Sequence, residues 1–211
     1  MNIESAVLSI PGIIIGFTVH EFCHAFAAYK LGDTTARDEG RLTLNPLRHI
    51  DIIGFIFILF AGFGWARPVR FNPERLKSPR RDKAIIAAAG PLSNLILGIL
   101  FILLIKAVIF LQTASDWNGV IAKQTLMLLS SLITINIGLF VFNLIPIPPL
   151  DGSHIVFSGL NLKSETEYRI MRIGTPLLFI LLIVQGRTGI NILPIGKAVH
   201  AIIGIFFYQQ Q

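Results

Sequence analysis

Residues 3–29 read IESAVLSIPGIIIGFTVHEFCHAFAAY, which is long enough and apolar enough to cross a bilayer as a helix. The segment departs from that composition only at Glu4 and at a cluster of His20, Glu21 and His24. Ionisable side chains in such a helix are costly unless they face a protein interior or a cavity, so they usually mark a functional site. The stretch therefore predicts a membrane span with a site inside it.

The composition of the whole chain is that of a membrane protein. Of the 211 residues, 53% are hydrophobic and 14% are charged, against about 25% charged residues in an ordinary soluble domain. A water-soluble protein is therefore excluded. We expect one membrane-embedded domain over residues 1–211, with a core over about 5–160 and C-terminal helices over about 168–208. Any adaptor or regulatory module would then be a separate protein.

Further apolar runs predict the remaining spans. Residues 84–111 and 120–145 are long enough to cross, and 170–185 and 190–208 are weaker candidates for spanning or edge helices. Residues 52–65 are too short for a crossing and rich in glycine, so we expect a re-entrant hairpin there, with room for short β-strands. The predicted fold is an all-α polytopic membrane protein with about five to six transmembrane helices.

The net charge of +6 reflects topology rather than binding to nucleic acid. Seven of the 18 Lys and Arg residues lie between Arg67 and Lys83, and no aromatic-studded basic groove accompanies them. The positive-inside rule places this loop in the cytoplasm, with specific lipid binding as the alternative. No cleavage-site pattern follows the N-terminus, so the first helix is expected to be retained in a bacterial or archaeal cell membrane.

His20 and His24 have the spacing of a helical metal site. Four residues apart, they lie about 40° from each other around a helix and can bind one ion. Together with Glu21 they form the pattern of zinc metalloproteases, in which the glutamate is a general base and not a ligand. The alternative is a pair of buried histidines bonded to neighbouring polar groups.

Catalytic zinc usually has three protein ligands, so a third ligand should lie elsewhere. Asp151 is the best candidate, because the prolines of residues 143–152 (NLIPIPPLDG) end the preceding span and let a carboxylate enter a cavity. An interfacial Asp-Gly turn is the alternative. His154 is a rival ligand, or a partner that orients the carboxylate. Three other potential ligands are expected to be structural: Cys23, His49 and His200.

The sequence resembles the site-2 protease family of intramembrane zinc metalloproteases, in its compact prokaryotic form without PDZ or CBS domains. The likeness is carried by residues 20–36, 40–46, 49–51, 65–69, 90–94 and 143–152, and so covers roughly residues 10–160. The last fifty residues do not share it. Thr34 stands where the family pattern usually has proline, a departure outside the metal site.

The resemblance implies that His20, His24 and Asp151 bind one zinc ion and that Glu21 is the general base. It implies cleavage of peptide bonds in transmembrane segments of other membrane proteins, as in regulated intramembrane proteolysis. A catalytically inactive relative that only binds such segments, and a transporter that uses the same ionisable residues, are the alternatives.

Three residues are candidates for contact with the substrate. The resemblance implies that Asn94 and Asn143 line the substrate cleft, where they would bond the substrate backbone or the developing oxyanion. For Asn94 an interhelical hydrogen bond without a catalytic part is the alternative. The segment around Val69 is expected to offer a strand edge to an unwound substrate. If residues 52–65 re-enter the membrane, all of these elements converge in its cytoplasmic half.

Overall fold

A computed structural model describes residues 3–61, 64–115, 119–160, 162 and 164–207. Its helices, in chain order, are α1 (Ile3–Lys30), α2 (Thr35–Asp38), α3 (Ile52–Ala61), α4 (Pro79–Ser115), α5 (Val120–Asn143), α6 (Asp151–Leu160), α7 (Ser164–Thr188) and α8 (Ile195–Phe207). Four of them, α1, α4, α5 and α7, are long and apolar enough to cross a membrane. The chain is therefore an all-α, multi-pass membrane protein.

The predicted spans at 3–29, 84–111 and 120–145 coincide with α1, α4 and α5. The weaker candidate at 170–185 lies inside α7, whose first turns carry two glutamates. The last predicted helix corresponds to α8, which has 13 residues. A crossing needs about 20 residues, so a fifth and a sixth span are not confirmed.

Close packing of α1, α4 and α5 forms the centre of the molecule. A Cβ atom on Gly12 of α1 would lie 2.7 Å from Ile135 Cδ1, and one on Gly98 of α4 would lie 2.4 Å from Ile137 Cδ1. In a bilayer, helix association depends on such close approach, because lipid tails remove the hydrophobic driving force between helices. The glycines therefore let the three helices meet at backbone distance.

The two ends of the segment 50–66, which we call the excursion, lie next to each other in the fold. Ile50 and Ala66 make an isolated antiparallel bridge, and the Arg67 N–H donates to the His49 carbonyl oxygen at 2.8 Å. In between, α3 has 10 residues. A Cβ on Gly54 would lie 2.1 Å from the Trp65 carbonyl oxygen, so glycine is required where the two arms touch. The sequence left room for short β-strands in this segment. Among the described residues, this one bridge is what corresponds to them.

Buried polar residues fasten the returning arm to the end of α1. Asp33 is fully buried and accepts hydrogen bonds from the Thr35 N–H at 3.0 Å and the Asn72 N–H at 2.6 Å. Arg41 is buried as well and donates to the Arg67 carbonyl oxygen. These contacts hold residues 66–72 beside α1. Thr34, at the position where the family usually has proline, donates to Asp38 at the surface.

Candidate metal centre

Three potential metal ligands converge between α1 and the start of α6. Asp151 Oδ2 lies 3.2 Å from His20 Nε2 and 3.3 Å from His24 Nε2, and the two Nε2 atoms are 3.0 Å apart. A tetrahedral ion with bonds of about 2.0 Å holds its ligand atoms about 3.3 Å from one another. The triangle of His20, His24 and Asp151 therefore has the size of one face of a tetrahedral zinc site.

The hydrogen bonds that fix the protons of the two histidines also favour a cation between their rings and Asp151. His20 Nδ1 donates to Asn94 Oδ1 and His24 Nδ1 donates to the Ile86 carbonyl oxygen, each at 2.7 Å. In the neutral rings each Nε2 then carries a lone pair. Asp151 Oδ2 is buried and has no hydrogen-bond donor. Three electron pairs meeting in a buried place repel one another unless a proton or a metal ion lies between them, and imidazole and carboxylate ligands suit zinc.

Glu21 lies beside this triangle but is not part of it. Its side chain is buried, and its Oε2 accepts a hydrogen bond from the Val69 N–H at 2.9 Å. Val69 belongs to the returning arm that Arg41 and Asp33 fasten to α1. The carboxylate is thus held in place through its Oε2 atom.

A cavity of about 510 Å³ opens in front of the triangle and Glu21. Its walls are mostly apolar, as in most ligand sites, and come from α1, α4, α5, α6, α7 and residues 64–71. Val69 and Asn143, two of the predicted substrate contacts, line it. Asn143 is the last residue of α5 and donates to the Leu139 carbonyl oxygen at 3.0 Å.

Asn94 occupies a different place from that expected for a residue of the substrate cleft. It is fully buried, is not among the described residues that line the cavity, and bonds to the back of the His20 ring. Its amide nitrogen donates to the Gly16 carbonyl oxygen and to Asn136 Oδ1. A direct contact between Asn94 and a substrate stays a prediction.

Sequence reasoning missed Gly90, which touches both histidines. A Cβ on Gly90 would lie 2.4 Å from His24 Nε2 and 2.7 Å from His20 Cε1. No local pattern reveals this, since the contact joins α4 to α1. A glycine inside an otherwise continuous apolar helix was the available signal, because such glycines mark close approach.

The remaining potential ligands stay outside the triangle. His154 lines the cavity, packs against Phe157, and has its pKa lowered by burial. His49 is fully buried and donates from Nε2 to the Thr43 carbonyl oxygen, and burial also lowers its pKa. Cys23 is half-buried and His200 is exposed. None of them joins the metal-ligand cluster found among the described residues.

Aromatic and charged side chains that line the cavity make contacts with α7. Trp65 and Phe179 meet edge to face with ring centroids 6.0 Å apart. Lys83 Nζ of α4 lies 3.4 Å from Glu167 Oε2 of α7. These two contacts connect α7 to the rest of the site.

Residues 9–184 match the model of Peptidase family M50. The match extends past the region of resemblance found in the sequence and includes most of α7. The chain is 44% identical over 146 residues to "Putative zinc metalloprotease YwhC" of Bacillus subtilis (strain 168), covering 68% of this chain and 65% of that protein.

Two further relatives bear similar names. "Putative zinc metalloprotease Rip2" of Mycolicibacterium smegmatis is 30% identical over 75% of this chain and 60% of its own length. "Putative zinc metalloprotease MJ0611" of Methanocaldococcus jannaschii is 31% identical over 71% of this chain and 69% of its own length. The chain thus spans slightly under two thirds of the first two relatives. No solved structure matches it significantly.

Proposed function

The chain belongs to Peptidase family M50, the site-2 protease family, and we propose that it is an intramembrane zinc endopeptidase acting on transmembrane segments of other membrane proteins. One observation carries the proposal: the triangle of His20, His24 and Asp151 stands beside Glu21 in a cavity between apolar helices. His20, His24 and Asp151 would hold one zinc ion. That ion would supply Lewis acidity, activating water and polarising the peptide carbonyl.

Glu21 is the proton carrier in this proposal. Its free carboxylate oxygen takes a proton from the attacking water and passes it to the nitrogen of the leaving amine. The Val69 N–H keeps the other oxygen in place through a charge-assisted hydrogen bond. Asn143, at the wall of the cavity, is placed to bond the substrate backbone or the developing oxyanion.

The substrate must enter the cavity as an unwound segment. In an intact transmembrane helix each carbonyl is hydrogen-bonded and shielded by side chains, which blocks attack. The apolar walls of the cavity fit a hydrophobic segment that arrives from the bilayer. Residues 64–71 line one wall, and their backbone is the candidate edge for pairing with an extended substrate. The Val69 N–H already bonds to Glu21, Pro68 has no N–H and the Arg67 N–H bonds to His49, so carbonyl oxygens and the amides after Val69 would supply that edge.

The catalytic centre is proposed to lie in the cytoplasmic half of the cell membrane. The excursion 50–66 begins and ends at the Ile50–Ala66 bridge, which supports a re-entrant segment with both ends on one side. The basic loop from Arg67 to Lys83 follows directly and favours the cytoplasmic side. The topology is tested with Leu47→Cys and Arg75→Cys, two exposed positions, in a Cys23→Ser background. Both should react with an impermeant thiol reagent from the cytoplasm, and reaction from opposite sides would contradict the re-entrant segment.

Cleavage of a single-span substrate by the purified chain in lipid nanodiscs tests the activity. Glu21→Gln should abolish cleavage while zinc remains bound, because the amide cannot accept the proton. Glu74→Gln, an exposed glutamate on the basic loop, is the matched control and should cleave normally. A zinc chelator should stop the wild-type reaction.

The alternatives give different results in the same assay. Zinc bound by wild type without cleavage of any substrate would favour a binding-only relative. Cleavage that persists in Glu21→Gln would sink the mechanism. A transporter would bind no zinc at this centre and cleave nothing.

A further inference from the structure

Behind His20, a chain of hydrogen bonds runs through the three central helices. His20 Nδ1 donates to Asn94 Oδ1 at 2.7 Å, and Asn94 Nδ2 donates to Asn136 Oδ1 and to the Gly16 carbonyl oxygen, both at 3.1 Å. Asn136 Nδ2 donates to the Leu132 carbonyl oxygen at 2.9 Å. Both asparagines are fully buried. The chain thus connects α5 to a predicted metal ligand on α1 through α4.

The direction of this chain is fixed at its ends. The carbonyl oxygens of Gly16 and Leu132 can only accept hydrogen bonds, so both asparagine amides must turn their nitrogens toward them. If Asn94 turned over, its Oδ1 would face the Gly16 oxygen and Asn136 Oδ1. Acceptors facing one another in a buried place cost free energy, so the flipped orientation is disfavoured.

The orientation of Asn94 decides which nitrogen of His20 carries the proton. With Oδ1 toward the ring, the proton stays on Nδ1 and Nε2 presents its lone pair to a metal. With Nδ2 toward the ring, the proton would move to Nε2 and block ligation. A histidine ligand is generally fixed in this way by the partner of its other ring nitrogen.

His24 also carries its proton on Nδ1, but a backbone carbonyl oxygen alone fixes it there. Its Nδ1 donates to the Ile86 carbonyl oxygen, a backbone acceptor that cannot reverse. Of the two histidines, therefore, only His20 depends on side-chain amides whose orientation must itself be set.

We propose that Asn136 is a positioning residue of the metal centre, which fixes the metal-binding tautomer of His20 through Asn94. Asn136 is neither in the metal-ligand cluster nor among the described residues that line the cavity. The packing leaves room for this chain of hydrogen bonds because residue 16 is a glycine. A Cβ at that position would lie 3.3 Å from Asn136 Oδ1 and 2.7 Å from Leu139 Cδ1.

The first test is the zinc affinity of Asn136→Leu, which removes the polar atoms and approximately keeps the volume. Zinc affinity, measured by competition with a chromophoric chelator, should fall several-fold, less than the roughly 10–100-fold typical of residues that bond a ligand directly, because the Gly16 carbonyl oxygen still accepts from Asn94. In cobalt-substituted protein the d–d absorption should change as His20 ligation weakens. Thr134→Val is the matched control. Thr134 also donates to a carbonyl oxygen four residues earlier on α5, but it takes no part in the chain of hydrogen bonds to His20. It should bind zinc like wild type.

A double-mutant cycle separates positioning from general damage to the fold. Asn94→Ala removes the link between Asn136 and His20. In the Asn94→Ala background, Asn136→Leu should therefore cause little further loss of zinc affinity. Additive losses would overturn the proposal. If Asn136→Leu does not fold, Asn136→Ser, whose hydroxyl is too short to reach Asn94, is the substitute in the same cycle.

The inference rests on the proposed zinc site, and the two can fail separately. Wild-type protein that binds no zinc would refute the proposed function. Wild-type protein that binds zinc, with unchanged affinity and cobalt spectrum in Asn136→Leu, would refute only the role of Asn136.

Discussion

The two sides of the cavity are built in different ways. On one side, α1, α4 and α5 pack through glycines and bury a chain of polar side chains behind the metal ligands. On the other side stands α7, whose most apolar stretch is only 11% buried, against 33% for α1. Its links to the site include the Lys83–Glu167 ion pair, the Trp65–Phe179 ring contact and the packing of Gly174 on Pro148.

This difference matches two different proposed tasks. The three packed helices would hold the catalytic groups, and α7 would form the wall past which a substrate enters. Ligand geometry must be held to within a fraction of an ångström, which requires elements locked by packing and hydrogen bonds. A wall that is proposed to admit a substrate has no such requirement. We therefore expect substitutions at the positions of the three central helices that contact the histidines or their hydrogen-bond partners to change zinc binding, and substitutions on α7 to leave it unchanged.

The largest effect should come from Gly90→Ala. The new methyl group would lie 2.4 Å from His24 Nε2 and 2.6 Å from His24 Cε1, so the imidazoles must leave the positions at which they meet Asp151. We expect zinc stoichiometry, measured by elemental analysis of purified protein, to fall close to zero and cleavage to be lost.

Gly138→Ala on α5 is the control, because no atom lies within 4 Å of its added Cβ. It should bind zinc normally and be slightly more stable, since alanine favours helix by about 1 kcal/mol over glycine. Full zinc occupancy in Gly90→Ala would show that the packing around the histidines is looser than described.

Removing the charge of Asp151, the proposed third ligand, should have the next largest effect. Asp151→Asn keeps the size of the side chain but replaces an anionic ligand with a weak neutral one. Zinc affinity should fall by more than the roughly 10–100-fold typical of residues that only support ligands. Asp38→Asn, an exposed carboxylate at the surface, should leave the affinity unchanged. Equal affinities in both variants would remove Asp151 from the ligand set.

Val69→Pro should lower the turnover number without lowering zinc binding. Proline removes the N–H that holds Glu21 Oε2, and a hydrogen bond to a charged group contributes about 1.5–3 kcal/mol, or roughly 10–100-fold in rate. Val69→Ala keeps the N–H and is the control. A rise in KM at constant kcat would instead indicate that Val69 acts on the substrate.

The smallest effect should come from Glu167→Ala on α7. Its ion pair with Lys83 is partly exposed, and such pairs contribute about 1 kcal/mol or less. Zinc affinity should equal that of wild type, and thermal unfolding should shift by a few degrees at most. A loss of zinc from this variant would show that α7 also supports the metal site, contrary to the difference described between the two sides of the cavity.

The sequence alone predicted the parts that depend on local pattern. The apolar runs located α1, α4 and α5, and helical spacing placed His20 and His24 on one face. Asp151 was found because a catalytic zinc needs a third ligand, and prolines free the chain at that point. Each of these inferences uses neighbours along the chain or a chemical requirement.

The rest depends on contacts between distant residues. Asn136 is an ordinary polar residue in an apolar helix, and its place behind Asn94 follows only from how α4 packs on α5. The hydrogen bonds that join Asn94 to His20 and Asn136 likewise follow only from this packing, while its contact with a substrate stays a prediction. Helix α7 begins before its predicted start, because Glu165 and Glu167 in its first turn favour a helix N-terminus but reduce its hydropathy.

X-ray absorption at the zinc edge of the purified wild-type chain would show directly which atoms surround the metal. We expect two imidazole nitrogens and a carboxylate oxygen at about 2.0–2.2 Å, completed by an oxygen or nitrogen from solvent or buffer. A sulfur neighbour at about 2.3 Å, or a shell of oxygen atoms without imidazole scattering, would contradict this expectation.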